Sequence, residues 1–191
     1  MRMAVGPTME WGDMIVGQHD LVTDRLLLRQ PVAGDAEAIY GGYASDPEVT
    51  RYLQWSPLTG ITAALRFIQG CEERRASGTE FTWAITMKSS SGVIGVVHCS
   101  PRGHKAELGY ALARSYWGQG YMTEAAQAVM DWLFTSPKIH RVWATCDVEN
   151  VGSVRVLEKL GMTREGTLRR WAVQPNISAE PRDSFMYARV R

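Results

Sequence analysis

The segment Tyr116-Trp117-Gly118-Gln119-Gly120-Tyr121-Met122-Thr123-Glu124-Ala125 constrains this chain more than any other. A strand-like run from Ala106 to Leu112 leads into it. Beyond it Met122, Ala125, Ala126, Val129, Met130 and Leu133 recur at helical spacing. Two glycines at a strand-to-helix turn let backbone N–H groups converge without Cβ interference, and the helix start adds partial positive charge. Such a turn suits phosphate, so a phosphate-bearing cofactor is expected here. Tyr121-Met122 follows the last glycine where a nucleotide-hydrolase loop needs a Lys-Ser/Thr pair. The turn also comes after a fourth strand and lacks a third glycine, which sets aside a dinucleotide fold. A Gly-x-Gly turn by itself remains compatible with an ordinary tight turn.

Around this unit the chain alternates strand and helix patterns. Leu26–Arg29 reads as a first strand, and Asp35–Tyr43 and Thr62–Ser77 read as helices, the second stopped by Gly78. Phe81–Met87 alternates with period two, Val93–Cys99 is a buried strand, and Pro101-Arg102-Gly103 reads as a turn. Arg141–Asp147 is a strand and Asn150–Leu160 a helix ended by Gly161, with Thr163–Val173 and Phe185–Val190 as the last strands. The expected fold is α/β (α+β): a mixed, mostly antiparallel twisted sheet of about seven strands with helices on both faces. One domain is expected over residues 21–191, preceded by an extension over residues 1–20.

The net charge of +1 argues against a dedicated nucleic-acid or membrane-surface binder. No apolar run reaches the roughly 20 residues that span a bilayer, and no secretion signal opens the chain, so a cytoplasmic protein is expected. Cys71, Cys99 and Cys146 read as reduced, half-buried thiols, and the four histidines show no metal-ligand spacing with them, so no metal is expected.

Five stretches carry a family resemblance. Glu107-Leu-Gly-Tyr-Ala-Leu, running on to Trp117-Gly-Gln-Gly-Tyr-Met-Thr-Glu-Ala, and Asn150-Val-Gly-Ser153 through Glu158-Lys-Leu-Gly161 resemble the GCN5-related N-acetyltransferase (GNAT) family. Thr23-Asp-Arg-Leu-Leu-Leu-Arg29, Asp46-Pro-Glu-Val and Asp183-Ser-Phe-Met-Tyr-Ala-Arg189 look like its ribosomal-protein (Rim-type) branch. Ser115 departs from the Gln or Arg that the broad family often places three residues before the first glycine.

The resemblance implies acetyl-CoA as co-substrate, bound where two strands splay apart. The backbone amides of Trp117, Gly118, Gln119, Gly120, Tyr121 and Met122 would cradle the pyrophosphate. The pantetheine arm would pair with the strand at Tyr110, Leu112 and Ala113, an amide near Leu112 or Ala113 holding the oxyanion. Asn150 would lie near the pantetheine, and Ser153 would protonate the departing thiolate, with Tyr116 and Tyr121 as alternative acids. Both Asn150 and Ser153 also fit plain helix capping.

Glu107 shares a strand face with Gly109 and Ala111, where desolvation would raise its pKa towards that of a general base. An equal alternative pairs it structurally with an arginine such as Arg141. Tyr52 and Trp55 are candidate acceptor contacts, Trp55 because it sits in a loop with no packing role. The expected reaction moves acetyl to a primary amine by direct attack in a ternary complex. The acceptor is a protein N-terminal amine by the Rim-type resemblance, or alternatively a polyamine, amino sugar or antibiotic. A CoA-binding regulatory module without turnover is the rival class, and a monomer or homodimer is expected.

Overall fold

The computed structural model describes residues 20–90 and 92–191; most of the 1–20 extension lies outside them. Strands β1 (Leu21–Val22), β2 (Leu26–Arg29), β3 (Phe81–Met87), β4 (Val93–Arg102), β5 (Lys105–Leu112), β6 (Arg141–Asp147), β7 (Thr163–Gln174) and β8 (Ser178–Val190) form one sheet. Its spatial order is β1-β2-β3-β4-β5-β6-β8-β7. Every neighbouring pair is antiparallel except β5–β6. The eighth strand, beyond the seven expected, is the two-residue β1 on the edge.

Helices α1 (Ala36–Ile39), α2 (Pro47–Thr50) and α3 (Ile61–Ala76) precede β3, α4 (Tyr121–Thr135) follows the glycine turn, and α5 (Val151–Lys159) follows β6. Period-two alternation divides the sheet between two cores. Phe81, Trp83 and Ile85 share one core with Met122, Ala126 and Met130 of α4 and Leu157 of α5. Ala84, Val96 and Ala111 face the other way, against Ile39, Tyr43, Ala64 and Ile68.

The structure refines three boundaries and one helix face. The Asp35–Tyr43 helix is a 3-10 turn, one turn of α1, and a π turn over Tyr40–Ala44. Gly41 and Gly42 weaken regular helix there, and the wider turn carries Tyr43 into the core. Helix α3 buries Ala64, Ile68 and Cys71, whereas Leu65, the residue that helical spacing would put on the same side as Ile68, stays exposed. Pro101 and Arg102 remain in β4, opposite Ala106 and Lys105, so the turn begins at Gly103. Strand β8 starts at Ser178 because pairing with β7, rather than its own charged residues, extends it.

Candidate active site

The β5–β6 contact is parallel and brief: Lys105, Ala106 and Glu107 pair with Arg141, Val142 and Trp143. Beyond that point β5 stays with β4 while β6 stays with β8, and a wedge opens between Leu108 and Ala144. Strand alternation decides which amides face it. Ala113 N–H donates to the Ile94 carbonyl at 2.8 Å, so the Leu112 and Tyr110 amides point to the edge that β6 has left. The Leu112 carbonyl lies on that edge and accepts from Trp117 Nε1 at 2.7 Å. Of the two amides expected for an oxyanion, Ala113 is therefore already engaged with β4, and Leu112 is the one aimed into the wedge.

At the end of β5 the chain turns through Gly118 (φ +73°) and Gly120 (φ +81°), left-handed conformations that a Cβ disfavours. Gly120 caps α4 without a side-chain bond, and Glu124 N–H donates to Gly120 O in the first turn of the helix. The amides before it are the orphan donors of a helix start. The Trp117 amide is not among them, because it donates to Arg114 O; the expected cradle shortens to Gly118–Met122.

Arg25 braces this turn from the start of β2. Its guanidinium donates to Gln119 O and to Glu124, and stacks 4.2 Å from the Tyr121 ring centroid. Tyr121 in turn packs edge-on against Tyr116. Both tyrosines are occupied at the turn, and neither lines the cavity described next.

A continuous cavity of about 550 Å³ runs through the wedge. Tyr110, Cys146, Asn150 and Ser153 line one end, and Tyr43, Tyr52, Trp55, Glu80, His98 and Glu107 line the other. Leu112, Ala113 and the glycine turn lie outside its wall, farther along β5. Asn150 is the N-cap of α5, accepting from Ser153 N–H at 3.0 Å. The β6–α5 turn that presents both is locked by buried Asp147, which accepts from Glu149 N–H and from Arg182 Nε at 2.7 Å. Arg182 also reaches Glu149 at 2.9 Å.

At the other end, Asn176 at the β7–β8 turn donates to Thr50 O and Trp55 O, 2.6 and 2.8 Å away. That tether fixes the loop carrying Tyr52 and Trp55.

Glu107 is half-buried in the cavity wall. The structural pairing with Arg141 is absent, since Arg141 binds Glu165 instead. Burial raises the Glu107 pKa above its ordinary value; Arg102 opposes this and Glu80 adds to it. Beside it stand groups that sequence reading passed over. Glu80 accepts from Arg74 Nε at 2.8 Å and from Thr82 Oγ1 at 3.1 Å, and His98 Nδ1 lies 3.7 Å from its other oxygen. Their signal, a charged residue opening β3 and a histidine in an apolar strand, acquires meaning only from the register. His98 sits opposite both Thr82 and Gly109.

The three cysteines are free and buried. Burial pushes Cys146, the one in the cavity wall, up to about 11, so it stays a thiol near neutrality and is a poor nucleophile. Among the described residues no cluster of His, Cys, Asp or Glu could hold a metal. No helix there is long and apolar enough to cross a membrane.

Residues 25–163 match the acetyltransferase (GNAT) domain, and the chain belongs to that family. It is 36% identical over 152 residues to the N-acetyltransferase p20 of Bacillus licheniformis, covering 78% of this chain and 85% of p20. It is 29% identical to the [ribosomal protein uS5]-alanine N-acetyltransferase of Escherichia coli (strain K12), over 88% of this chain and 89% of that enzyme. The fold matches that of RimL, a ribosomal L7/L12 α-N-protein acetyltransferase solved with coenzyme A. The TM-score is 0.79 at 23% identity, covering 90% of this chain and 98% of RimL. The chain is thus an acetyl-CoA-dependent N-acetyltransferase.

Proposed function

We propose that the protein acetylates the N-terminal amine of a protein acceptor, which enters the cavity from the Tyr52–Trp55 end. The observation that carries this reading is the continuity of one cavity from Ser153 and Asn150 to Glu107, so donor and acceptor can meet without a covalent enzyme intermediate. The kinship with the uS5-alanine enzyme supports a protein acceptor.

In this reading the amides of Gly118–Met122 hold the pyrophosphate of acetyl-CoA, and the exposed edge of β5 at Tyr110 and Leu112 pairs with its pantetheine arm. The bound co-substrate supplies the thioester. Leu112 N–H holds the oxyanion that forms when the amine adds. Glu107 takes a proton from the incoming ammonium, as its raised pKa favours. Ser153 stands near the departing sulfur, a thiolate that needs little protonation. Glu107 and Glu80 together make the acceptor end attractive to a cation. Residues 21–191 form the catalytic domain.

The test is acetyl transfer to peptides with N-terminal alanine or serine, run beside spermidine and glucosamine. Peptide acetylation with a kcat/KM well above that of the small amines is the expected result. A preference for a small amine would move the acceptor to that class. Coenzyme A binding without turnover on any amine would favour a regulatory module.

A further inference from the structure

His98 is placed as no ordinary core histidine is. Its side chain is 35% exposed, yet Nδ1 is buried and has no hydrogen-bond partner among the described residues. The Nε2 corner of the ring occupies the space where a side chain at 109 would begin. A Cβ built there would stand 2.2 Å from Nε2, so glycine at 109 is what lets the imidazole reach over β5. Glu107 lies two residues earlier on that same face, and both side chains line the one cavity. Behind the ring the carboxylate of Glu80 faces Nδ1 and is itself fixed by Arg74 and Thr82. A carboxylate facing Nδ1 favours the tautomer with hydrogen on Nδ1 and the lone pair on Nε2.

We propose that His98, backed by Glu80, is a second proton acceptor for the incoming ammonium, beside Glu107. The proposal rests on the amine-acetylation reading above. One ammonium N–H bond breaks and its proton passes to Nε2, leaving a neutral amine and an imidazolium that faces Glu80. The amine lone pair forms the C–N bond to the thioester carbon. The C–S bond then breaks, and the thiolate takes the second proton lost by nitrogen. Ammonium and thioester thus become amide, thiol and one proton, which His98 returns to solvent.

The charged groups facing the ring are Glu80 ahead of β3, Arg74 of α3 and Glu107 of β5. Burial lowers the His98 pKa, Glu80 opposes this and Arg74 adds to the lowering, so the balance favours the neutral ring.

The experiment combines pH profiles of kcat/KM, using acetyl-CoA and an N-terminal-alanine peptide, with a ¹³Cε1 NMR titration of His98. The variants are His98→Gln, Glu80→Gln, Glu107→Gln and the Glu107→Gln/His98→Gln pair. His98→Gln is expected to lose about tenfold or more in kcat at unchanged acetyl-CoA KM. Glu107→Gln is expected to keep a residual activity whose pH dependence vanishes in the pair. Glu80→Gln is expected to move the His98 titration to lower pH, because the imidazolium loses its carboxylate.

An active wild-type enzyme whose pH profile survives His98→Gln would overturn the proposal while leaving the amine reading intact. An unmoved His98 titration in Glu80→Gln would overturn it too, even if His98→Gln fails to fold. Wild-type protein that acetylates no amine would overturn both readings.

Discussion

Arg25 and Glu124 are 99 positions apart in sequence, yet the Arg25 Nε lies 2.6 Å from a Glu124 carboxylate oxygen. The Arg25 backbone amide and the Thr23 hydroxyl bind the other oxygen of the same carboxylate. The start of β2 is thereby tied to the first turn of α4, whose amides are those proposed for the anion cradle. Glu124 also sits where a carboxylate complements the positive helix start.

Loss of this brace is expected to fall on donor binding. Arg25→Ala removes the contacts to Gln119 O and to the Tyr121 ring together with the ion pair. Arg25 is 45% exposed, so the pair adds little to global stability. The KM for acetyl-CoA is expected to rise about three- to tenfold, the equivalent of one hydrogen bond. Acceptor KM is expected to stay unchanged; equal loss in both would refute a role confined to the turn.

Asn176 closes the other end. Asn176→Ala removes two hydrogen bonds, each contributing about 1 kcal/mol, that hold the Thr50–Trp55 loop. Acceptor KM is expected to rise several-fold at constant acetyl-CoA KM. Hydrogen exchange should quicken in residues 50–58, while no change there would show that the loop stands without its tether.

Glu107 links activity to stability. A carboxyl whose folded pKa is raised binds its proton more tightly in the native state than in the unfolded chain. Its favourable contribution is complete below the ordinary carboxyl pKa and is lost as pH rises through the raised native value. Glu107→Gln is therefore expected to raise Tm at pH 7 and to lose that advantage below about pH 4. The same substitution is expected to lower kcat by about tenfold or more. Thermal unfolding from pH 3 to 8 checks the sign, and a variant less stable at pH 7 would contradict it.

Asp147 has no exposed side-chain surface and binds Arg182 directly. Removing one partner leaves the other charge uncompensated, so Asp147→Ala is expected to destabilise by about 3 kcal/mol, the low end for a buried pair, since Arg182 keeps some solvent contact. Urea unfolding measures this. Asp147→Asn keeps one acceptor oxygen and puts an NH2 donor in place of the other; it is expected to lose less than Asp147→Ala. Equal losses in the two variants would mean that charge alone matters there.

Gly95 tests packing between strands. A Cβ there would meet the Ala111 carbonyl oxygen at 2.5 Å and the Leu112 Cα at 3.1 Å, both backbone atoms. Gly95→Ala must shift β4 against β5, where the Leu112 amide is aimed into the wedge. A loss of about 1–3 kcal/mol is expected, with a fall in kcat larger than any change in KM. Wild-type stability in this variant would show that the strands yield freely.

Local pattern carried much of the fold. Period-two alternation in Phe81–Met87 located β3 with its boundaries, and Met122 to Leu133 located the buried face of α4. The Gly118–Gly120 turn was legible because only glycine takes those φ values without strain. Motif order marked Glu107, Asn150, Ser153 and Tyr110, and all four line one cavity. Where local signals were weak, reading failed in a physical way. Gly41-Gly42 admits a π turn as well as a helix, and the charged first half of β8 is strand only because β7 pairs with it.

The sequence by itself determined what each short segment prefers, because backbone freedom at glycine, side-chain alternation and capping act within a few residues. Tertiary structure alone decided who meets whom. Arg141 went to Glu165 and left Glu107 facing the cavity, the Ala113 amide went to Ile94, and His98 came to rest over Gly109 against Glu80. Those outcomes depend on strand register and on the parting of β5 from β6, which bring together residues distant in sequence. No local preference encodes them, because the energies that fix register are summed over whole faces of the sheet.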